Sequence, residues 1–167
     1  MIRDAVIDPT GKYRYLLTRV WDASKRKVTF IMLNPSTADA DHDDPATRRC
    51  IGFAQLWGYG SLEIVNLFAY RSTDSDQLKL VMDPVGPLND EYIMRAVVDS
   101  DIVLAWGDKV RSIPGYRHRH QQVINMLCSY NLHCFRLTVK GCPIYPLYLK
   151  GDSTLTQVKW IDNRLVV

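Results

Sequence analysis

The feature that most constrains the fold is a short apolar run at residues 28–33 that ends at Asn34-Pro35. The run is rich in β-branched and large apolar residues, which predicts a fully buried strand. Proline cannot donate a hydrogen bond to a sheet ladder, so the strand must end at Pro35. A helix should begin at Asp44-Pro45, because proline is favoured at the first helical position. A strand that delivers polar residues to a loop before a helix indicates the edge where open α/β sheets bind ligands.

The loop between this strand and the helix is crowded with acidic side chains and one imidazole. This composition is typical of a ligand-binding loop, and equally of a solvated loop whose aspartates cap turns. Asp44 has a competing structural role, since it precedes Pro45 in the position of a helix N-cap. A site for a hard cation is a further interpretation, although carboxylates in one flexible loop give it little support. The polar candidates in this loop are Asn34, Asp39, Asp41, His42, Asp43 and Asp44.

Farther along the chain, strand patterns alternate with helical patterns. Buried strands are expected at residues 62–69, 101–106 and 132–137, and helices at residues 45–57, at 89–98 and within 111–130. Residues 13–20 and 27–34 are joined by a turn-like connection, which predicts an antiparallel hairpin. The alternation predicts an α/β fold, a three-layer α/β/α sandwich with a mostly parallel four-stranded core sheet and an N-terminal antiparallel strand. We expect a single domain over residues 1–167.

Composition narrows the class of protein. The 167 residues are 47% hydrophobic and 23% charged, as in ordinary globular domains. Apolar runs are far shorter than the roughly 20 residues of a membrane-spanning helix, and the first residues lack the apolar core of a signal peptide. We therefore expect a cytoplasmic protein with no membrane partner and no obligate protein partner. The four cysteines form no Cys-x-x-Cys pair, and a net charge of +3 permits nucleic-acid binding without requiring it.

Six sequence blocks resemble a known family. The blocks are IMLNPSTAD, DDPATRRC, GYGSLEIVNLFAYRST, DPVGPLND, DIVLAWGDKV and GCPIYPLYLK, and they span most of residues 15–150. They resemble a bacterial and phage family known only by a domain-of-unknown-function label. That family in turn resembles the uracil-DNA glycosylase superfamily. Residues 33–36 are similar to the first motif of its mismatch-specific branch, and Val65-Asn66-Leu67 is similar to its base-reading strand.

The resemblance implies a uracil-DNA-glycosylase-like fold and an enzyme that removes a base from DNA. It also implies a role in defence against phages whose DNA carries enlarged, sugar-decorated cytosines. Asn34 would place the attacking water, and Asn66 would match an edge of the base. Two positions depart from the superfamily pattern, because Met32 replaces a glycine and residues 145–147 replace a His-Pro-Ser motif. His42 or Tyr145 would then have to stabilise the leaving base.

Cleaving a base from deoxyribose passes through a sugar with oxocarbenium character. The site therefore needs negative charge near the sugar, a placed water and donors for the departing base. A flipped base needs an aromatic or apolar wall, and DNA affinity needs cations at phosphates. Each candidate also has a structural explanation, as a turn or strand bridge, a core aromatic or a solvated basic loop. The candidates are Asn34, Asp39, His42, Asp43 and Asp44 for catalysis, Asn66, Phe68, Tyr70, Trp106 and Tyr145 for base binding, and Arg48, Arg49, Arg71, Arg117, Arg119 and Lys150 for DNA binding.

The leading hypothesis is a monofunctional DNA glycosylase that acts on a modified pyrimidine, leaves an abasic site and needs neither a cofactor nor a metal. One alternative is an N-glycosidase or hydrolase that acts on free nucleotides or nucleosides. A second is a non-catalytic nucleic-acid sensor, and a third is a metal-dependent phosphoesterase.

Overall fold

The computed structural model describes residues 1–167 and contains eight β-strands and three α-helices. The strands are β1 (Ile2–Ile7), β2 (Arg14–Val20), β3 (Lys27–Met32), β4 (Ser61–Asn66), β5 (Ser100–Leu104), β6 (Leu132–Cys134), β7 (Thr156–Ile161) and β8 (Arg164–Val166). The α-helices are α1 (Pro45–Leu56), α2 (Asn89–Ala96) and α3 (Arg119–Met126). Short 3-10 helices lie at Ser75–Leu80, Lys109–Ser112 and Pro146–Tyr148. None of the helices combines the length and the apolar character that crossing a membrane requires.

All eight strands form one mixed sheet in the order β1-β2-β4-β3-β5-β6-β7-β8. The pairings β4–β3, β3–β5 and β5–β6 are parallel, and the other four are antiparallel. Only 25% of the chain is helical. The prediction of a mostly parallel four-stranded core sheet in a three-layer sandwich is therefore wrong. The sheet is wider than predicted because both ends of the chain add antiparallel strands to it. The outer strands, such as β1 and β7, are largely exposed, so their sequences lack the apolar pattern of a buried strand.

Strands β2 and β3 do not form the expected hairpin. Strand β4 lies between them, antiparallel to β2 and parallel to β3. The connection over residues 21–26 crosses the start of β4, where the Trp21 and Asp22 amides donate to the Gly60 carbonyl oxygen at 3.0 and 2.9 Å. A Cβ added at Gly60 would lie 1.9 Å from the Asp22 carbonyl oxygen, so the crossing requires glycine. Crossing one strand takes only about 10 Å, a distance that six residues span easily.

Helices cover both faces of the central strands. Neighbouring residues of a strand point to opposite faces, and accordingly Phe30 packs with Phe53 of α1 while Ile31 packs in the cluster that includes Ile93 of α2 and Val123 of α3. The packing holds β3, β4 and β5 side by side, with the parallel strands β3 and β5 ending at the same edge as β4. The segments that follow these three strands therefore meet at one place.

Candidate functional site

A cavity of about 580 Å³ opens at the edge where β3, β4 and β5 end, and we call it the strand-end cavity. Its volume lies within the range of roughly 300–1,000 Å³ that is typical of small-molecule sites. Five segments form its walls. They contribute Leu33, Asn34 and Ser36 after β3, Asp44, Pro45 and Ala46 at the start of α1, Ser72, Thr73, Asp74 and Ser75 after β4, Trp106, Gly107, Asp108 and Lys109 after β5, and Tyr145, Leu147 and Tyr148.

Asn34 lies in this wall at the end of β3 and links two of the segments. Its Nδ2 donates to the Pro35 and Ser72 carbonyl oxygens, each at 3.0 Å. These bonds tie the loop after β3 to the segment after β4 and fix the plane of the amide. Because both bonds use Nδ2, Oδ1 can accept a hydrogen bond from a molecule in the cavity. Asn34 therefore has the bridging role considered from sequence and also a position in the cavity wall.

Asp44 is the N-cap of α1 and also lines the cavity. Its Oδ1 accepts from the Thr47 amide at 2.8 Å, and its Oδ2 accepts from the Ala38 amide at 3.3 Å. The buried Arg14 donates from Nη1 to the Ala38 carbonyl oxygen at 2.9 Å. Burial lowers the pKa of Arg14 to about 10, an effect that the charge of Asp44 opposes. The Asp44 carboxylate is thus held rigidly by its cap bonds, with a buried cation close by.

The other acidic-loop candidates lie outside the cavity. Asp39 Oδ1 accepts two backbone amides at 2.8 Å and lies 3.2 Å from the exposed His42 Nδ1, so this carboxylate closes a turn. Asp43 pairs with Arg19 at 2.8 Å and with Arg3 at 2.9 Å, which anchors the loop to β1 and β2. Asp39, His42 and Asp43, which were predicted as catalytic, therefore do not line the strand-end cavity. No three His, Cys, Asp or Glu side chains of the chain are grouped to hold a metal ion.

Two of the predicted base-binding residues, Trp106 and Tyr145, line the cavity. Burial, reinforced by the charge of Asp44, raises the pKa of Tyr145 to about 12. The phenol is therefore protonated at neutral pH and can donate a hydrogen bond. Phe68 is instead fully buried in the core, and Tyr70 packs edge-on against another tyrosine outside the cavity. Trp106, Tyr145 and Tyr148 are the aromatic residues of the cavity wall, and the first two were predicted from sequence.

Asn66 and Arg119 belong to a buried polar group beneath the end of β4. Asn66 is 2% exposed, does not line the cavity, and its Nδ2 has no hydrogen-bond partner. Its carbonyl oxygen accepts from Asn89 Nδ2 at 2.9 Å. Arg119 is 3% exposed, donates from Nε to the Leu67 carbonyl oxygen at 2.9 Å and pairs with Asp90. Asn66, predicted to read the base, and Arg119, predicted to contact DNA, are therefore both buried and outside the strand-end cavity.

The remaining predicted DNA contacts divide into exposed and tethered cations. Arg48, Arg117 and Lys150 are exposed. Arg71 is half-buried and donates to a backbone carbonyl oxygen at 3.4 Å. Arg49 lies over the ring of a buried phenylalanine at 4.8 Å and donates to a backbone carbonyl oxygen next to Lys150. The Arg49 bond joins α1 to the segment after Pro146–Tyr148, and Arg48 donates to the Asp43 carbonyl oxygen at 2.7 Å.

Three charged residues of the cavity were not predicted from the sequence, namely Asp74, Asp108 and Lys109. Asp108 Oδ1 accepts from Thr138 Oγ1 at 2.6 Å. Asp108 follows β5 much as Asn34 follows β3, so the same signal of a polar residue after a buried strand could have identified it. Asp74 caps the short helix that follows it. With Asp44, the cavity carries three carboxylates against one lysine.

Comparison with known proteins identifies one family. Its model, described as a protein of unknown function (DUF1643), matches residues 14–147. That span includes every residue that lines the strand-end cavity except Tyr148. No curated protein and no solved structure matches the chain, and nothing links it to the uracil-DNA glycosylase superfamily. Because the match covers most of the chain, the protein belongs to the DUF1643 family.

Proposed function

We propose that this protein is a DNA glycosylase that hydrolyses the bond between a modified pyrimidine and its deoxyribose and leaves an abasic site. The observation that carries the proposal is Asn34 in the strand-end cavity, with Oδ1 able to accept from a water and with carboxylates around it. The similarity of residues 33–36 to the first motif of the mismatch-specific glycosylases supports the same role for Asn34. No cofactor is needed for such a hydrolysis.

The carboxylates of the cavity support this chemistry. A sugar that loses its base develops positive charge, and fixed negative charge lowers the energy of that transition state. Asp108 is the best candidate, because its side chain makes no helix-capping hydrogen bond and its Oδ1 is positioned by the hydrogen bond from Thr138. Asp44 Oδ1 caps α1 and Asp44 Oδ2 accepts from the Ala38 amide, and Asp74 caps the short helix that follows it. In the proposed mechanism, Asn34 Oδ1 orients the water, and Asp108 stabilises the sugar cation and takes the proton that the water releases.

The departing pyrimidine leaves with negative charge, so its release is faster when a donor contacts it. Tyr145 supplies that donor in the proposed mechanism, since its phenol remains protonated at neutral pH. It takes the place of the histidine that the superfamily motif would have at this position. Trp106 and Tyr145 provide the aromatic wall that an extruded base requires.

The dimensions of the cavity favour an enlarged base. A volume of about 580 Å³ is in the middle of the range for drug-sized ligands, so it leaves room for a pyrimidine with a bulky substituent. A sugar-decorated cytosine is such a base, and a role in defence against phages with such DNA is part of the proposal. The exposed Tyr148 at the cavity wall offers a stacking surface to the DNA, and the exposed Lys150, two residues farther along the chain, offers a phosphate contact.

The test is an assay for abasic sites on duplexes that contain plain cytosine, uracil, hydroxymethylcytosine or glucosylated hydroxymethylcytosine. The wild-type protein should release the modified base, and Asn34→Ala should lower the rate by about 10²-fold or more. Asn131→Ala is the matched control, because Asn131 is exposed and outside the cavity. Thermal melting establishes that Asn34→Ala remains folded despite the lost bond to Ser72. Intact DNA with all four substrates would refute the proposal.

A nucleoside N-glycosidase is the second candidate, and one observation favours it. Lys109 is the only cation that lines the strand-end cavity, so the cavity itself suits an uncharged nucleoside better than a nucleoside phosphate. The same assay is therefore run with free nucleosides. Release of base from nucleosides but not from duplexes would select this second function.

A further inference from the structure

A second cavity of about 320 Å³ lies on the other side of Trp106, which lines both cavities. Its walls come from the 3-10 helix after β5, from α3, from residues 139–143 and from the β7–β8 hairpin. These segments are far apart in sequence and meet only in the folded chain. We call this space the basic cavity.

Three cations surround the basic cavity, namely Arg111, Lys140 and Arg164. All three are exposed, and none of them forms an ion pair or a side-chain hydrogen bond within the protein. No carboxylate lines the cavity. Two acids lie next to its wall. Asp108 contacts Cys142 but lines the strand-end cavity and bonds to Thr138, and Asp162 precedes the wall residue Asn163 and is exposed. The field inside the basic cavity is therefore positive.

Two buried polar atoms in its wall lack partners. His120 is 5% exposed and its Nδ1 makes no hydrogen bond, and the same is true of Nε1 of Trp106, which is 2% exposed. Buried donors without partners are rare in folded proteins, since each costs free energy that a ligand can recover. Burial, followed by the charge of Arg111, lowers the pKa of His120 to about 4. At neutral pH the imidazole is uncharged and can carry its proton on Nδ1.

We propose that the basic cavity binds the phosphate group of a nucleotide. Phosphate matches three converging cations and neutral N–H donors, and arginine forks pair with its oxygens in a bidentate geometry. The half-buried Trp160 ring in the same wall gives the attached sugar or base an apolar surface. The inference goes beyond the glycosylase proposal and does not depend on it, because the binding is measured without catalysis.

The first experiment is calorimetric titration of the full chain with inorganic phosphate at constant ionic strength. The wild-type protein should bind one phosphate, and the triple variant Arg111→Gln, Lys140→Gln, Arg164→Gln should bind at least about tenfold more weakly. Lys159→Gln is the control, since Lys159 is exposed on β7 and lines neither cavity. Undiminished binding by the triple variant would overturn the proposal, as would the absence of binding by the wild type.

A second readout locates the anion. Phosphate should shift the nuclear magnetic resonance signals of the His120 ring nitrogens and of the Trp106 indole N–H, and the triple variant should not show these shifts. Acetate at the same ionic strength is the comparison ligand. If acetate binds as tightly as phosphate, the site is a general anion site and the phosphate assignment fails.

The phosphate can belong to a free nucleotide or to a nucleic-acid strand, and the same titration distinguishes the two sources. Deoxycytidine monophosphate and a six-residue single-stranded oligonucleotide serve as probes. Equal binding of the two identifies a free nucleotide as the ligand. Much tighter binding of the oligonucleotide, lost in the triple variant, identifies a strand that crosses from the basic cavity towards the strand-end cavity.

Discussion

The strand-end cavity and the basic cavity share one wall and carry opposite charge. Asp44, Asp74 and Asp108 line the first, whereas the second is lined by cations from three segments and by no acid. Trp106 lines both cavities, and the residues that follow it include Asp108 in the wall of the first and Arg111 in the wall of the second. A charge acts more strongly through apolar protein than through water. Trp106 therefore belongs both to a site suited to developing positive charge and to a site suited to bound negative charge.

The largest change that we expect is a loss of activity when one carboxylate of the strand-end cavity, Asp108, loses its charge. Asp108→Asn preserves the shape of the side chain and can still accept from Thr138, but it removes the charge. We expect kcat/KM for base release to fall by about 10²- to 10⁴-fold, as is usual when an acid–base group is lost. Asp152→Asn, at an exposed position outside both cavities, is the control. An unchanged rate for Asp108→Asn would assign the chemistry to another carboxylate.

The second prediction concerns His120 of the basic cavity and the dependence of protein stability on pH. The pKa of His120 is about 4 in the folded protein, mainly because of burial, and 6.5 is its ordinary value. Between these values the unfolded chain binds more protons, so stability is complete above pH 6.5 and falls as the pH falls towards 4. The loss is at most about 3 kcal/mol. Urea denaturation across this range should show a weaker pH dependence in His120→Gln, and an identical dependence would contradict the assignment.

Substitutions of Asp44 should have smaller effects, and they distinguish its role as a helix cap from the catalytic role proposed for Asp108. Asp44→Ala removes the N-cap of α1 and should lower the free energy of unfolding by about 1 kcal/mol. Asp44→Asn keeps one acceptor oxygen for the Thr47 amide but loses the bond from the Ala38 amide and the charge near Arg14, so its free energy of unfolding should lie between those of Asp44→Ala and the wild type. If Asp44 only caps the helix, Asp44→Asn also retains most of its activity. A loss as large as that of Asp108→Asn would reverse the roles of the two residues.

The last prediction is that kcat does not change with pH in the mildly alkaline range. Burial, followed by the charge of Asp44, raises the pKa of Tyr145 to about 12, so its phenol stays protonated well above neutral pH. We expect kcat to stay constant between pH 8 and pH 10. Stopped assays in that range measure it, with Tyr145→Phe to show how much the donor contributes. A decline near pH 10 in the wild type, absent in Tyr145→Phe, would indicate an unshifted phenol.

The buried strands were located from sequence, but their lateral order was not. The predicted strand at residues 101–106 corresponds to β5 at Ser100–Leu104, because a run of apolar residues has few other uses in a domain of this size. The expected hairpin was wrong because loop length favours pairing of neighbours, whereas β4 reaches its place through contacts that no local pattern encodes. The β7–β8 hairpin was missed although Asp162 and Asn163, both with positive φ, form its turn.

Four of the residues predicted for the candidate site line the strand-end cavity, namely Asn34, Asp44, Trp106 and Tyr145. Asn34 was identified because it directly follows a buried strand, and Trp106 and Tyr145 were selected as aromatic residues for a base-binding wall. Asp39 and Asp43 were selected by composition, which does not distinguish a carboxylate in a cavity from one in a turn or an ion pair. Cations of the basic cavity such as Arg164 gave no signal, because their convergence depends on segments that are distant in sequence.

The position of β4 between β2 and β3 also determines when the sheet can assemble on the ribosome. Chains emerge from the amino terminus, and β2 and β3 are complete by residue 32, whereas β4 ends at Asn66. Until β4 emerges, the facing edges of β2 and β3 have no native partner, and unpaired edges favour aggregation. While residues 33–60 are being synthesised, the nascent chain is therefore exposed to aggregation through these two edges. The polar, proline-containing segment after β3 provides the nascent chain with a soluble stretch during that interval.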